Sequence, residues 1–277
     1  MSPSAIAFTI TPNNHKDLLL EALLGTTYGL SNFSMEIKAN STKMGLEAIG
    51  LFENDPFGLG SGIVLSTGRV KAIPGENTRD GQLLPSDDSS PHDLSTAFIS
   101  SGSPDSLSLQ ISFDADQTAS KLFFQYVFGS EEFVEFGGDK FNDSFELLLN
   151  GINLAKLSDG QNVTINNLVP NPAGPFHRDY INNPAGPGIL TKLDGFTRAL
   201  TFEGLLRQNA PNTLTINIKD VEDGRLDSAV FLKGGSLGTA LLPDPEKVPE
   251  PGLAIASLVM GGLILRKGRK SSSRSRD

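Results

Sequence analysis

Residues 106–113 read SLSLQISF, with every second position apolar. Successive side chains of a strand point to opposite faces, so strict alternation specifies a strand with one wet side and one dry side. Such a strand needs partners, because its backbone N–H and C=O groups must be paired where they are buried. The same signature returns at 213–218, TLTINI. Denser apolar runs at 121–128 (KLFFQYVF) and 228–232 (SAVFL) have the character of central strands. Residues 141–149 run into Asn150-Gly151, a strong hairpin signal, and 152–157 returns from it. Helical spacing is confined to two short segments near the start, 16–24 and 42–52. The chain has 29 Gly and 17 Pro, above the usual combined share of about 12%, which fits many turns. The predicted fold is a mainly β single domain, a β-sandwich or jelly-roll-like arrangement with short N-terminal helices.

Cysteine is absent, which excludes a disulfide scaffold, a thiolate zinc site and a cysteine nucleophile. Trp is also absent, and the only histidines are His15, His92 and His177, each read as a solvated loop residue. The net charge is −9. The last residues hold Arg266, Lys267, Arg269, Lys270, Arg274 and Arg276 against Asp277, so the rest of the chain is still more acidic. A body of that sign repels phosphate backbones, and nucleic acid is excluded as a partner.

The C-terminus has three ordered parts. A spacer rich in Pro and acid ends in Val248-Pro249-Glu250-Pro251, an uncharged segment follows from Gly252 to Leu265, and the basic stretch begins at Arg266. The apolar segment is shorter than the roughly 20 residues a spanning helix prefers. Snorkelling flanks let it cross a thin bilayer, with the basic end cytoplasmic. This ordering of Pro249, Glu250 and Pro251, apolar segment and Arg-rich end resembles the PEP-CTERM sorting signal of bacteria. The resemblance implies processing by a membrane exosortase, removal of the hydrophobic tail, and delivery to the cell envelope or beyond. The expected organisation is a β domain at 8–238, a Pro-rich linker at 239–251, and a sorting and anchor segment at 252–277 with a single C-terminal hydrophobic helix. The opening residues, MSPSAIAFTITPNNHK, have no basic side chain before His15 and only a short apolar stretch. The N-terminal export signal is therefore expected to be absent or truncated in this chain.

Several motifs follow one another through the body. They are Gly60-Ser61-Gly62-Ile63-Val64-Leu65-Ser66-Thr67-Gly68, Phe128-Gly129-Ser130-Glu131-Glu132-Phe133 and Phe141-Asn142-Asp143-Ser144-Phe145. Further on come Asp194-Gly195-Phe196-Thr197, Asp223-Gly224 and Asp227-Ser228-Ala229-Val230-Phe231-Leu232. In order and spacing they resemble the choice-of-anchor L domain, a bacterial family whose members carry differing C-terminal anchors. The sequence departs from that pattern at Gly129, where the family leads one to expect Ala. The resemblance implies an envelope or secreted β-domain and implies no catalytic activity.

Candidate chemistry is limited to acidic loops. One cluster runs from Glu131 and Glu132 through Asp143 to Glu146, and a second holds Asp220, Glu222, Asp223 and Asp227. Hard oxygen ligands on loops suit Ca²⁺, which takes six to eight of them. If the strands at 121–128 and 228–232 are neighbours, Glu132, Asp143, Asp223 and Asp227 converge on one ion; otherwise these acids form a solubilising rim. Glu131 and Glu132 are adjacent and so point to opposite faces, which argues against a glycosidase pair. Gly58 to Gly62 lacks the Lys-Ser/Thr of a phosphate loop and reads as a turn into a strand. The expected function is a non-enzymatic surface protein, with adhesion, matrix interaction or glycan binding as its task. Its expected partners are an exosortase-type enzyme, the membrane, and extracellular polysaccharide or surface proteins. The alternatives are a matrix-directed hydrolase and a purely structural surface component.

Overall fold

The computed structural model describes residues 7–79, 92–99, 104–221 and 226–241. The chain enters through β1 (Thr9–Pro12), α1 (Lys16–Leu23), β2 (Leu30–Ala39), α2 (Met44–Glu47), β3 (Ile49–Glu53) and β4 (Ser61–Ser66). After a short 3₁₀ turn, Val70–Ala72, come β5 (Ser106–Ala115), β6 (Lys121–Ser130), β7 (Ser144–Leu149) and β8 (Ile152–Asn153). They are followed by α3 (Ile165–Leu168), β9 (Tyr180–Asn182), β10 (Gly195–Thr197), β11 (Leu200–Leu205), β12 (Ala210–Lys219) and β13 (Ser228–Lys233).

Among the described residues these strands form two antiparallel sheets. The larger is eight-stranded in the order β1-β3-β4-β13-β6-β10-β9, with β11 also pairing β6; the smaller is five-stranded in the order β2-β5-β12-β7-β8. The alternating segments build the smaller sheet. In β5, Leu107, Leu109, Ile111 and Phe113 are buried while Ser108, Gln110 and Ser112 face outward. In β12, Leu214, Ile216 and Ile218 do the same. These rows meet Leu122, Phe124, Tyr126 and Phe128 of β6 and Val230 and Leu232 of β13 in one core between the sheets.

The dense runs sit at the centre of the larger sheet because both of its faces are dry. Opposite the main core, Val127, Phe231, Val64 and Phe52 join Phe8, Leu94, Leu193 and Phe196 in a second apolar layer. Periodicity of two is lost in such a strand, since both sets of side chains are buried.

Close backbone approach sets the composition of β4. A Cβ on Gly62 would lie 2.0 Å from the Leu232 carbonyl oxygen and 2.7 Å from the Gly234 nitrogen. Neither obstacle is a side chain that can rotate away. Gly62→Ala is expected to destabilise the protein by about 1–3 kcal/mol, read as a lower midpoint in urea at unchanged slope. An unchanged midpoint would show that β4 and β13 slide apart freely. At Gly129, a Cβ would meet Leu193 Cδ1 at 2.8 Å and the Gly195 oxygen at 3.1 Å, so glycine suits this chain's packing there.

The structure differs from the sequence reading in places. The helix expected over 42–52 is only the single turn α2, and Ile49–Glu53 is a strand. Gly50 explains this: a Cβ there would be 2.6 Å from the Thr11 oxygen, and its absence lets β1 pair closely with β3. The turn-rich segment 166–188 contains the end of α3 and all of β9, and it is anchored by buried Leu168, Val169 and Tyr180. The hairpin at Asn150-Gly151 is present, with φ of 53° and 87° at the two turn residues. It joins β7 to β8 with Leu149 opposite Ile152.

The end of the domain is clamped. Leu237 N–H donates to Leu23 O at 3.0 Å, and Gly25 N–H donates to Leu237 O at 2.9 Å. Gly238 and Phe123 exchange hydrogen bonds of 3.1 and 2.8 Å, and Thr239 N–H donates to Thr26 O at 2.8 Å. No described helix is long and apolar enough to cross a membrane. The Pro249-Glu250-Pro251 motif, most of the expected linker, and the hydrophobic helix expected from Gly252 lie outside the described residues.

Candidate functional site

One end of the sandwich collects carboxylates at the ends of its strands. Asp105 precedes β5, Asp143 precedes β7 and Asp220 follows β12; in the facing sheet, Glu131 follows β6, Asp227 precedes β13 and Asp194 precedes β10. Antiparallel pairing places these termini together: Lys219 is paired with both Ser106 and Ser144, and Ser228 with Ser130. All six side chains are buried. The expectation that the strands at 121–128 and 228–232 are neighbours holds, since β6 pairs β13.

Short polar side chains organise the floor. Ser228 Oγ–H donates to Asp143 Oδ2 at 2.8 Å, and Ser130 Oγ lies 2.8 Å from Ser228 Oγ. Val221 N–H donates to Asp143 Oδ1 at 2.8 Å. Ser228 N–H donates to Thr67 Oγ1 at 2.9 Å, and Ser66 Oγ–H donates to Ser228 O at 2.9 Å. Gly68 leaves room beside them, because a Cβ there would collide with Asp227 Oδ2 at 1.7 Å.

Each of four carboxylates has one oxygen tied and one left over. Asp227 Oδ1 accepts from Thr96 N–H at 2.8 Å, and Asp105 Oδ2 accepts from Phe98 N–H at 2.8 Å. Glu131 Oε1 accepts from Asp93 N–H at 2.7 Å and Leu94 N–H at 3.2 Å. Asp220 is hydrogen-bonded to Thr67. The remaining oxygens, Asp227 Oδ2, Asp105 Oδ1, Glu131 Oε2 and Asp220 Oδ1, are buried and have no hydrogen-bond partner among the described residues. Among the described residues, no Lys or Arg forms an ion pair with these four.

Electrostatics follow from that arrangement. Burial pushes Glu131 up to about 9, with Asp93 and Asp227 adding repulsion. Burial likewise raises Asp227 to about 7, reinforced by Asp105 and Asp143. Asp220 is raised by burial and then by Asp143, and Asp105 is raised by burial. Desolvation favours the neutral acid, and neighbouring negative charge acts in the same direction.

Of the four residues expected to converge, Asp143 and Asp227 belong to this interior. Glu132 is buried just past Ser130, whose Oγ accepts from the Glu132 N–H at 3.0 Å. Asp223 lies outside the described residues. Glu132, Asp143 and Asp227 are buried rather than set in a solvated rim. Sequence reasoning missed Asp105, Asp194 and His92 as members. His92 is partly buried, and burial lowers its pKa. His177 stands apart from this end, with Nε2 3.2 Å from Asp159 Oδ2 and Nδ1 accepting from Asp179 N–H at 3.1 Å.

Two antiparallel sheets over a shared core, closed at one end by buried carboxylates, define a β-sandwich module with an acidic interior floor. The family description "Choice-of-anchor L domain" matches residues 9–238, and the chain belongs to that family. It is a domain of bacterial surface-associated proteins. Among curated proteins and among solved structures, none matches the chain.

Proposed function

We propose that this chain is a non-catalytic surface module that holds extracellular polysaccharide on the outer face of its five-stranded sheet. The observation that carries this reading is the ladder of polar side chains on that face. Glu36, Gln110 and Thr215 lie in one cross-strand row, and Lys38, Ser108, Asn217 and Glu146 in the next. Asn217 Nδ2 donates to Glu146 Oε2 at 3.1 Å. A shallow groove of about 470 Å³ runs along this face, lined in part by Lys38, Asn40, Ser106, Ser108, Glu146 and Asn217. The short members of the ladder, Ser108, Thr215 and Asn217, lose less rotamer entropy on binding than the longer Glu36, Lys38, Gln110 and Glu146 beside them. Repeated at the ~4.8 Å strand spacing, they suit a hydroxylated polymer that binds by many weak contacts. The burial of the acidic side chains at the end of the sandwich supports the non-catalytic reading, since a hydrolase must present its carboxylates to substrate. The C-terminal pattern at Pro249, Glu250 and Pro251, with the apolar and basic segments after it, supports membrane anchoring before exosortase-type processing and surface delivery after it.

The test is binding of the purified protein to an array of bacterial extracellular polysaccharides. The double variant Asn217→Ala, Glu146→Ala is expected to weaken binding about tenfold or more, at roughly 1 kcal/mol per lost hydrogen bond, with an unchanged melting temperature. Undiminished binding by that variant would move the ligand off this face. Release of new reducing ends from a bound polysaccharide would favour the hydrolase reading instead.

A further inference from the structure

We propose that His92, Glu131 and Asp194 form a binding site for one divalent transition-metal ion of the Mn²⁺ or Zn²⁺ class. A ligand atom from each of the three lies within 4.8 Å of the other two. Ligands at roughly 2.0–2.2 Å from one ion lie at most about 4.4 Å apart, so the three groups stand near that limit and small side-chain rotations close them on one ion. The three come from different parts of the chain: His92 from the loop between β4 and β5, Glu131 from the end of β6, and Asp194 from the start of β10. Glu131 and Asp194 are buried, at 0% and 2% exposure.

The outer contacts already do what the surroundings of a metal ligand do, which is to tie one atom and aim the other. Glu131 Oε1 is held by the N–H groups of Asp93 and Leu94, which leaves the fully buried Oε2 without a hydrogen-bond partner. Asp194 Oδ1 accepts from Asn77 Nδ2 at 2.7 Å, and that same amide donates to Asn183 O at 2.7 Å. His92 Nδ1 is buried and has no hydrogen-bond partner among the described residues. An unpartnered carboxylate oxygen and an unpartnered imidazole nitrogen beside a second carboxylate are a mixed nitrogen and oxygen set. Ca²⁺ prefers oxygen alone, whereas imidazole with carboxylate suits Mn²⁺ and Zn²⁺. The ion would fasten residues 92–94 to the end of β6.

The test uses the full chain, stripped with chelator and then titrated with Mn²⁺, followed by electron paramagnetic resonance of the free ion, and with Zn²⁺, followed by calorimetry. One equivalent is expected, with a melting temperature raised by roughly 5–10 °C at a hundredfold excess over Kd. His92→Ala, on a loop, should keep the fold and weaken affinity at least about tenfold to a hundredfold, as loss of even an outer-shell partner does. Glu131→Gln should do the same, and Asp220→Asn should leave affinity unchanged. Absence of Mn²⁺ and Zn²⁺ binding overturns the site, as does binding that survives both His92→Ala and Glu131→Gln. Binding of Ca²⁺ alone, abolished by Asp220→Asn, would also overturn it and place the ion among Asp105, Asp143, Asp220 and Asp227.

Discussion

Phe231→Ala should lower the stability of the protein by about 3–5 kcal/mol, the usual cost of emptying a large buried aromatic site. Phe231 is 0% exposed at the centre of the layer on the outer face of the eight-stranded sheet. Its ring lies 4.6 Å from Phe57, 5.4 Å from Phe52 and 6.3 Å from Phe8, centroid to centroid. Aromatic pairs at these separations contribute about 0.5–1.5 kcal/mol each beyond the area they bury. The neighbours come from the residue before β1, from β3 and from the loop after it, and cannot all collapse into the space left behind. For a domain of this size each kcal/mol moves the melting temperature by about 2–4 °C, so a fall of roughly 6–20 °C is expected. Leu205→Ala is the control, because Leu205 is 73% exposed and a surface change of this kind stays within about 0.5 kcal/mol. If both variants melt with the native chain, the second layer is not part of the cooperative core.

Protein held in chelator should lose stability as the pH rises from about 4 to about 7. Asp227 is the main cause. Its folded-state pKa is raised to about 7 by burial, and Asp105 and Asp143 face it with like charge. Glu131, beyond it, is raised in the same sense to about 9, facing Asp93 and Asp227, and Asp220 is raised facing Asp143, Asp227 and Asp105. In the unfolded chain an Asp releases its proton near pH 4. Between the two values the folded state binds more protons than the unfolded state, so each increment of pH favours unfolding. At about 1.4 kcal/mol per unit, Asp227 alone accounts for a loss on the order of 3–4 kcal/mol. Asp159 acts in the opposite sense only in more acid solution, because Gln161 and then His177 hold it down to about 2. Melting temperature against pH measures the slope, and Asp227→Asn should flatten it. A melting temperature that climbs from pH 4 to 7 in chelator would contradict the arrangement of this interior.

Where one face of a strand is wet, the pattern in the residues was sufficient. Both β5 and β12 were legible from Leu107 to Phe113 and from Leu214 to Ile218. The hairpin turn was legible too, because Asn and Gly tolerate the positive φ it needs. By contrast, β2 was not, although Met35 is buried and Phe33, Ile37 and Ala39 pack against the core. Its pairing with β5 shifts register between Ser31 and Ser34, which breaks the alternation at the start of the strand. The apolar residues of 42–52 fit a helix by spacing, but from Ile49 onward they pair with β4 and, across Gly50, with β1 as a strand.

The acidic interior was half legible. The sequence made the meeting of the loops after β6 and before β13 conditional on two apolar runs being neighbours, and their pairing meets that condition. The burial of the acids did not follow, because an acidic residue in a loop has the same local signature whether it is wet or enclosed. His92 was opaque for the same reason: its partners, Glu131 and Asp194, are far from it in sequence.

Tension on the chain beyond Thr239 would not fall first on a free end. It would meet hydrogen bonds to Leu23, Gly25, Thr26 and Phe123 held by three consecutive residues, Leu237 to Thr239. The load is divided between α1's exit and β6 before it reaches Lys233, the last residue of β13. That strand lies between β4 and β6, in the middle of the larger sheet. A pull from the C-terminal side is thus resisted by a strand in the middle of the larger sheet rather than by an edge strand that peels.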